Sequence, residues 1–482
     1  MSTRPLGAIL AMSAMLSACG GGGGDGAIAG GGIGATPVPT PTPVASTGCS
    51  LRERQDWAAA QLREWYLFPE TLPTNLNPAG FSTVDDYIDG LTATARAQRK
   101  DRYFTYLTSI KEENAYYNSG SSAGLGVRLA LDTSNRLVIA EAFENAPAAN
   151  AGIQRGTEIV AIGTTAGSLR SVSAILAAQG TAGLTDALGP DTVGTSRVLQ
   201  LSGVAGDRTV TVAKADFELQ PVSPTYGAKV IDDGGTKVGY VNLRTFINTA
   251  DPQLRAAFAN FRAQGITQVI VDFRYNGGGL VSIAELMGNL LGGNRSTGEV
   301  FSYTTFRPEK SAENDVSYFA PQPQSINSTK IAFIGTGGTA SASELVINAF
   351  VPYLRANVGL IGTNTYGKPV GQIALDKTSC DDRLRVIAFA LQNADRQGAY
   401  YDGLATTVQA TCRAVDDVSK PLGDPAEAST RQALDYLAGR SCTPITATAS
   451  LQNARSASVV EKSALLSPER PNTAQRETPG LF

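Results

Sequence analysis

The sequence predicts a multidomain α+β protein: an N-terminal helical segment, a module of short β-strands and an α/β layered domain. Three observations carry this reading. The chain has 482 residues with 42% hydrophobic content, enough for several cores. Its apolar spacing passes from helical periodicity, through short alternating runs, to strands that alternate with helices. A Gly- and Pro-rich stretch separates all of this from a short apolar leader.

Residues 1–19 read as a lipoprotein signal peptide. Arg4 precedes an apolar stretch from Leu6 to Leu16, and Leu16-Ser17-Ala18-Cys19 resembles a lipobox in which Cys19 is acylated. The alternative is a plain signal peptide cut near the same place. The stretch is too short to span a bilayer, which needs about 20 helical residues. A lipid on Cys19 implies a bacterial cell envelope protein facing the periplasm, and Gly20 rather than aspartate after it favours the outer membrane. Residues 20–48 hold Gly20 to Gly24, Gly30 to Gly32 and a Pro-Thr alternation from Pro37 to Pro43, a flexible linker spanning roughly 30 Å.

Residues 49–117 form the expected helical domain. Ser50 with Glu53 is a capping box, Leu51, Trp57, Leu62, Trp65 and Tyr66 supply apolar positions, and a later helix includes Tyr87, Ile88 and Leu91. The tryptophans read as core. Over 118–220, strands are expected at Leu125 to Leu131, Leu137 to Ala142, Glu158 to Ile162, Arg197 to Leu201 and Thr209 to Val212, with a helix from Val172 to Ala178. Two motifs there, Gly124-Leu125-Gly126-Val127 and Ala151 to Ile159, resemble a PDZ domain, although Thr157 stands where aspartate is usual. By that resemblance Leu125, Gly126 and Val127 bind a peptide, offering N–H groups to its terminal carboxylate and a strand edge to its backbone. A PDZ-shaped spacer without a ligand is the alternative.

Residues 221–442 alternate strands and helices: Val238 to Leu243, then helix Asp251 to Gln264, strand Val269 to Phe273 and helix Ile283 to Leu291. Strand Ile331 to Ile334, helix Ala342 to Phe350 and strand Val358 to Ile361 follow. The tail, 443–482, is rich in Ser, Ala, Thr, Arg and Glu, so disorder is expected with one short helix at most. Setting Cys19 aside, Cys49, Cys380, Cys412 and Cys442 allow three disulfide connectivities, of which Cys380–Cys412 with Cys49–Cys442 is the expected one.

Several function classes are disfavoured. Net charge is -3 without a basic block, which argues against nucleic acid. No residue is histidine, and the cysteines lie far apart, which argues against a zinc site. The glycine-rich loops lack the Gly-Lys-Ser/Thr of a phosphate cradle. Gly120-Ser121-Ser122-Ala123-Gly124 matches a nucleophile elbow, but that chemistry needs a histidine. No cofactor or metal is implied.

Without imidazole, a nucleophilic serine needs a buried, neutral lysine as its base. Ser341, in Thr339-Ala340-Ser341-Ala342-Ser343-Glu344, falls between a strand and a helix, where the Ala342 N–H and the helix dipole favour an oxyanion. Asp272 to Gly279 ends in three glycines that allow close backbone approach to a carbonyl. Lys368 follows a strand in Gly367-Lys368-Pro369-Val370-Gly371-Gln372, with Gln372 placed to hold its amine.

Together these motifs resemble the C-terminal processing, or tail-specific, serine proteases with a PDZ domain, here as a bacterial lipoprotein member; the likeness covers roughly residues 49–440. It implies a crotonase-like ββα catalytic domain with Ser341 as nucleophile, Lys368 as base, Gln372 orienting Lys368, and Gly278 and Ala342 N–H groups as oxyanion donors. It also implies protein or peptide substrates with unstructured C-termini. The sequence departs from the pattern at Pro352, Pro369 and Thr363-Asn364. A catalytically silent, peptide-binding lipoprotein scaffold is the second reading.

Overall fold

A computed structural model describes residues 48–203, 205–446 and 463–482. The expectations for residues 1–47, the lipid on Cys19 and nearly all of the linker among them, lie outside these residues. Among the described residues no helix is long and apolar enough to cross a membrane.

The centre is a six-stranded sheet ordered Lys229–Asp233, Thr236–Asn242, Gln268–Asp272, Lys330–Gly335, Val358–Gly362 and Ala410–Arg413. The first pair is an antiparallel hairpin and every later pairing is parallel. Alternation along the strands builds two layers. Val269, Val271, Ile331 and Phe333 face helices Ala250–Ala263, Val281–Leu291 and Ala342–Leu354. Ile270, Ala332 and Ile334 face helix Ala428–Leu437 on the other side.

A second, antiparallel sheet joins Tyr106–Ser109, Val300–Phe306, Asp315–Tyr318, Val370–Lys377 and Asp382–Gln392. Helix Leu51–Trp65 starts at the expected capping box, with Ser50 N–H donating to Glu53 Oε2 at 3.0 Å. It does not belong to a separate helical domain. Ala58 and Leu62, with Ile88 and Leu91 of helix Val84–Ala97, share one core with Val370, Leu384 and Val386.

Residues 121–219 carry Val127–Asp132, Leu137–Ala142, Glu158–Gly163, Ser196–Ser202 and Arg208–Ala213 in one antiparallel sheet, with Ser121–Gly124 paired to Ala215–Glu218 beside it. The helix expected to stop at Ala178 extends as Val172–Leu188, interrupted at Gly180 with φ 63°. The outer edge of this sheet is covered by Ser463–Leu465, antiparallel to Val127–Asp132.

That last pairing corrects the expectation of disorder for residues 463–482. Ser463–Leu465 is a strand, Thr473–Glu477 a helical turn, and Leu466, Ala474, Leu481 and Phe482 are buried. Polar composition hid four apolar anchors spaced along the segment. The disulfide expectation is corrected too: Cys49 bonds Cys380 and Cys412 bonds Cys442, with Cα separations of 5.6 and 5.4 Å. Cys380 lies in the turn between strands Val370–Lys377 and Asp382–Gln392, beside the start of helix Leu51–Trp65. Cys442 returns along strand Ala410–Arg413, where Arg413 N–H donates to Thr443 O at 2.7 Å. Neither Cys380–Cys412 nor Cys49–Cys442 forms: Cys380 sits at a turn of the antiparallel sheet next to Cys49, and Cys412 sits on a strand of the six-stranded sheet next to Cys442.

Candidate active site

The carboxyl ends of four neighbouring parallel strands carry the site. Asp272 leads to the glycine turn, Gly335 to the Ser341 turn, Gly362 to the Lys368 loop and Arg413 to Ala414, Val415 and Asp416. Their loops line a cavity of about 420 Å³ that includes Gly277, Ala340, Tyr366, Lys368 and Asp416. In open parallel sheets this rim is the usual place for ligands.

Ser341 sits at the N-terminus of helix Ala342–Leu354 with φ 55° and ψ -114°, a conformation a non-glycine residue adopts only under constraint. The turn is held from both sides. Ala340 N–H and the Ser343 hydroxyl donate to Asn276 O at 3.0 and 3.1 Å, and the Thr339 hydroxyl donates to Phe273 O at 2.9 Å. Ser343 is therefore a buried strut, whereas Ser341 is partly exposed. Ala342, first in its helix, presents an N–H with no intrahelical acceptor. Further along, Pro352 cannot donate to Asn348 O, and the Asn393 side chain takes that role at 3.4 Å.

Lys368 Nζ donates to Gln372 Oε1 at 2.9 Å, and Gln372 Nε2 donates to Phe104 O. A β-bulge between Gly371 and Gln372 re-aims the glutamine. Burial pushes the Lys368 amine below its ordinary range, opposed by the charge of Glu477 and aided by Arg476 and Arg385. Phe104 packs beside it, ring centroid 5.2 Å from Nζ. Arg102 lies over the Tyr366 ring at 4.2 Å and donates to Tyr366 O at 2.8 Å, fixing the Lys368 loop from the helical segment.

Glu344 was legible as part of the motif, but not its task. Its carboxylate accepts from Ser341 N–H (3.0 Å), the Thr365 hydroxyl (2.6 Å), Gly367 N–H (2.7 Å) and Lys368 N–H (2.7 Å). Burial pushes this carboxyl up and the four donors pull it back. One side chain thereby ties the serine turn to the lysine loop. Only the pairing of acidic Glu344 with a later glycine-rich loop could have signalled it.

Gly278 adjoins the serine: a β-carbon there would stand 2.8 Å from Ser341 Cβ and 3.2 Å from Ala342 N. Its own N–H, however, donates to Asn276 Oδ1 at 3.0 Å. Among the described residues no hydrogen bond joins Ser341 Oγ to Lys368. The structure thus brings Ser341, Ala342 and Gly278 together, and Lys368 with Gln372. Leu125, Gly126 and Val127 lie on the separate edge occupied by Phe482. Among the described residues no group of His, Cys, Asp and Glu could hold a metal ion.

A strained serine at a helix start, backed by a glycine turn and a half-buried lysine on adjoining loops, is the kind of arrangement a serine-hydrolase class of site uses. Residues 237–404 match the model of peptidase family S41. The chain is 30% identical over 280 residues to the chloroplastic carboxyl-terminal-processing peptidase 3 of Arabidopsis thaliana, covering 55% of this chain and 49% of that one. It is 28% identical over 268 residues to the chloroplastic C-terminal processing peptidase of Tetradesmus obliquus, covering 54% of each. The chain thus spans about half the length of these relatives. A solved protein of Bacteroides fragilis described as an S41 protease shares the fold, with a TM-score of 0.60 at 22% identity, over 80% of this chain and 97% of that one.

Proposed function

We propose that this protein is a serine endopeptidase that cleaves protein or peptide substrates through a Ser341–Lys368 dyad. The observation that carries the reading is the Glu344 carboxylate, which binds the N–H groups of both Ser341 and Lys368 and so couples the two loops. Ser341 Oγ attacks the substrate carbonyl carbon while its proton passes to neutral Lys368 Nζ. The oxyanion is received by the Ala342 N–H and, once its peptide turns away from Asn276, by the Gly278 N–H. Lys368 then protonates the leaving amine, giving an acyl ester on Ser341. Water, deprotonated by Lys368, releases the acid and restores the serine. Gln372 is a positioning residue, holding the amine through Oε1.

Residues 118–220 serve as a PDZ-like module in this reading. Leu125, Gly126 and Val127 receive a substrate's C-terminal carboxylate, and the edge of Val127–Asp132, once residues 463–482 leave it, its backbone. Acylation of Cys19 tethers the protein to the bacterial envelope on the periplasmic side. The silent-scaffold reading draws on one observation, the missing Ser341–Lys368 bond.

Ser341→Ala separates the two. Cleavage of an unfolded protein should fall by roughly 10⁴-fold or more with the thermal midpoint unchanged. Unaltered turnover would reject Ser341, and an inactive parent under conditions that open the site would favour the scaffold.

A further inference from the structure

The segment Pro471–Phe482 occupies two places at once. Its end lies along strand Val127–Asp132: Phe482 N–H donates to Val127 O at 2.9 Å, Gly126 and Val127 N–H donate to Phe482 O at 2.8 and 3.2 Å, and Leu129 N–H donates to Gly480 O at 2.9 Å. The Phe482 ring, 2% exposed, packs in one core with Leu125, Val127, Val172 and Ile175. This is the mode by which an added strand docks in a peptide groove.

A few residues earlier the same segment enters the cleft. Gly277 N–H donates to Glu477 O at 2.9 Å, and a β-carbon on Gly277 would stand 2.1 Å from Arg476 O, so the glycine admits the tail. A β-carbon on Gly278 would lie 3.2 Å from Glu477 Oε2, which puts that carboxylate beside Ser341 and Ala342, where a scissile carbonyl belongs. Tyr117 donates to Glu477 Oε1 at 3.2 Å, while Oε2 is buried without a hydrogen-bond partner. The stretch between is clamped: the Thr478 hydroxyl bonds Tyr116 at 2.9 Å, and Arg128 donates to Pro479 O.

We propose that Pro471–Phe482 is a tethered ligand of this protein's own groove and cleft, closing both until the C-terminal segment of a substrate displaces it. The proposal rests on the peptidase reading for what the closure controls. Closure acts in two ways. The backbone of Arg476 to Pro479 fills the space a substrate would cross, and the Glu477 charge favours Lys368 as ammonium, the form that cannot take the Ser341 proton. Glu477 is joined around that amine by Arg476 on the same segment, Arg385 on strand Asp382–Gln392 and Asp101 of the helical segment.

Tethering gives the tail an effective concentration on the order of 1 mM, so a groove that binds the free peptide at about 10 μM would resist competitors by roughly a hundredfold. The partners that open the site are then unstructured chains that present a large apolar residue to the groove Phe482 fills.

The test uses the full chain carrying Ser341→Ala and a fluorescent peptide of sequence 471–482. Adding Phe482→Asp should tighten peptide binding at least tenfold, and equal affinity would overturn the proposal. Hydrogen exchange on the unaltered chain gives a second readout that needs no variant. Protection of 476–482 matching strand Val127–Asp132 supports it, and exchange at unfolded-chain rates overturns it. In chains retaining Ser341, Phe482→Asp and Glu477→Gln should each raise hydrolysis of reduced, carboxymethylated lysozyme several-fold, and an active parent with no gain in either variant would overturn closure. If peptide binding tightens yet no chain hydrolyses the substrate, the tethered ligand stands and the peptidase reading falls.

Discussion

Two buried glutamates face the Ser341 cleft, and they are held in opposite ways. Glu344 accepts four hydrogen bonds from the Ser341 turn and the Lys368 loop, whereas Glu477 has one weak partner on Oε1 and none on Oε2. Burial pushes both carboxyls up. A buried carboxylate that satisfies several donors is structure, since removing it orphans every donor at once. One left half-satisfied costs free energy that other contacts must offset, here the docking of Phe482, Leu481 and the clamped backbone. Glu344 belongs to the fixed frame of the site, and Glu477 rides on the segment proposed to leave it.

Substitutions can break this contrast. The largest effect is expected from Glu344→Ala, which should lower stability by about 3 kcal/mol or more and cut hydrolysis by at least a hundredfold, read from thermal melts and kcat/KM. A fully active, equally stable Glu344→Ala chain would show that the loops hold their places without it. Next, Gln372→Ala should lower kcat roughly tenfold with KM little changed, because only the aim of the amine is lost; a change confined to KM would place Gln372 in substrate binding instead. Glu477→Gln should leave stability within about 1 kcal/mol of the parent, unlike its counterpart. A large destabilisation would make Glu477 a second structural carboxylate and erase the distinction.

The smallest effect lies in the pH profile. If Lys368 is the base of the proposed dyad, it works only when neutral, so activity should rise with pH through its pKa, which burial holds below the ordinary lysine value and Glu477 partly restores. Removing the negative charge in Glu477→Gln destabilises the ammonium, and the rising limb should move to lower pH. A limb that stays in place would mean that Glu477 is not felt by the amine in the working state.

What the sequence disclosed follows the range of each interaction. The Ser341, Lys368 and Gln372 turns were legible because small residues and glycines after apolar strands are local signals. The layered alternation of Val269 to Val271 and Ile331 to Ile334 was legible for the same reason. Glu344 was hidden because three of its four donors come from the Thr365 to Lys368 loop. The disulfides depended on which strand ends meet, and composition alone misread the tail, whose anchors are few but buried. The second sheet went unforeseen because Val300–Phe306 buries only Phe301 and Ser302 and leaves its other positions half-exposed, so no alternation marks it as a strand.

The four chemistry-bearing loops all leave one rim of the six-stranded sheet. The opposite rim, where the chain enters these strands at Thr267, Thr329, Asn357 and Gln409, carries none of them. Segments there are open to exchange, tagging or grafting of new surfaces while the machinery across the sheet is left undisturbed, so this fold offers a handle and a blade on separate ends of the same strands.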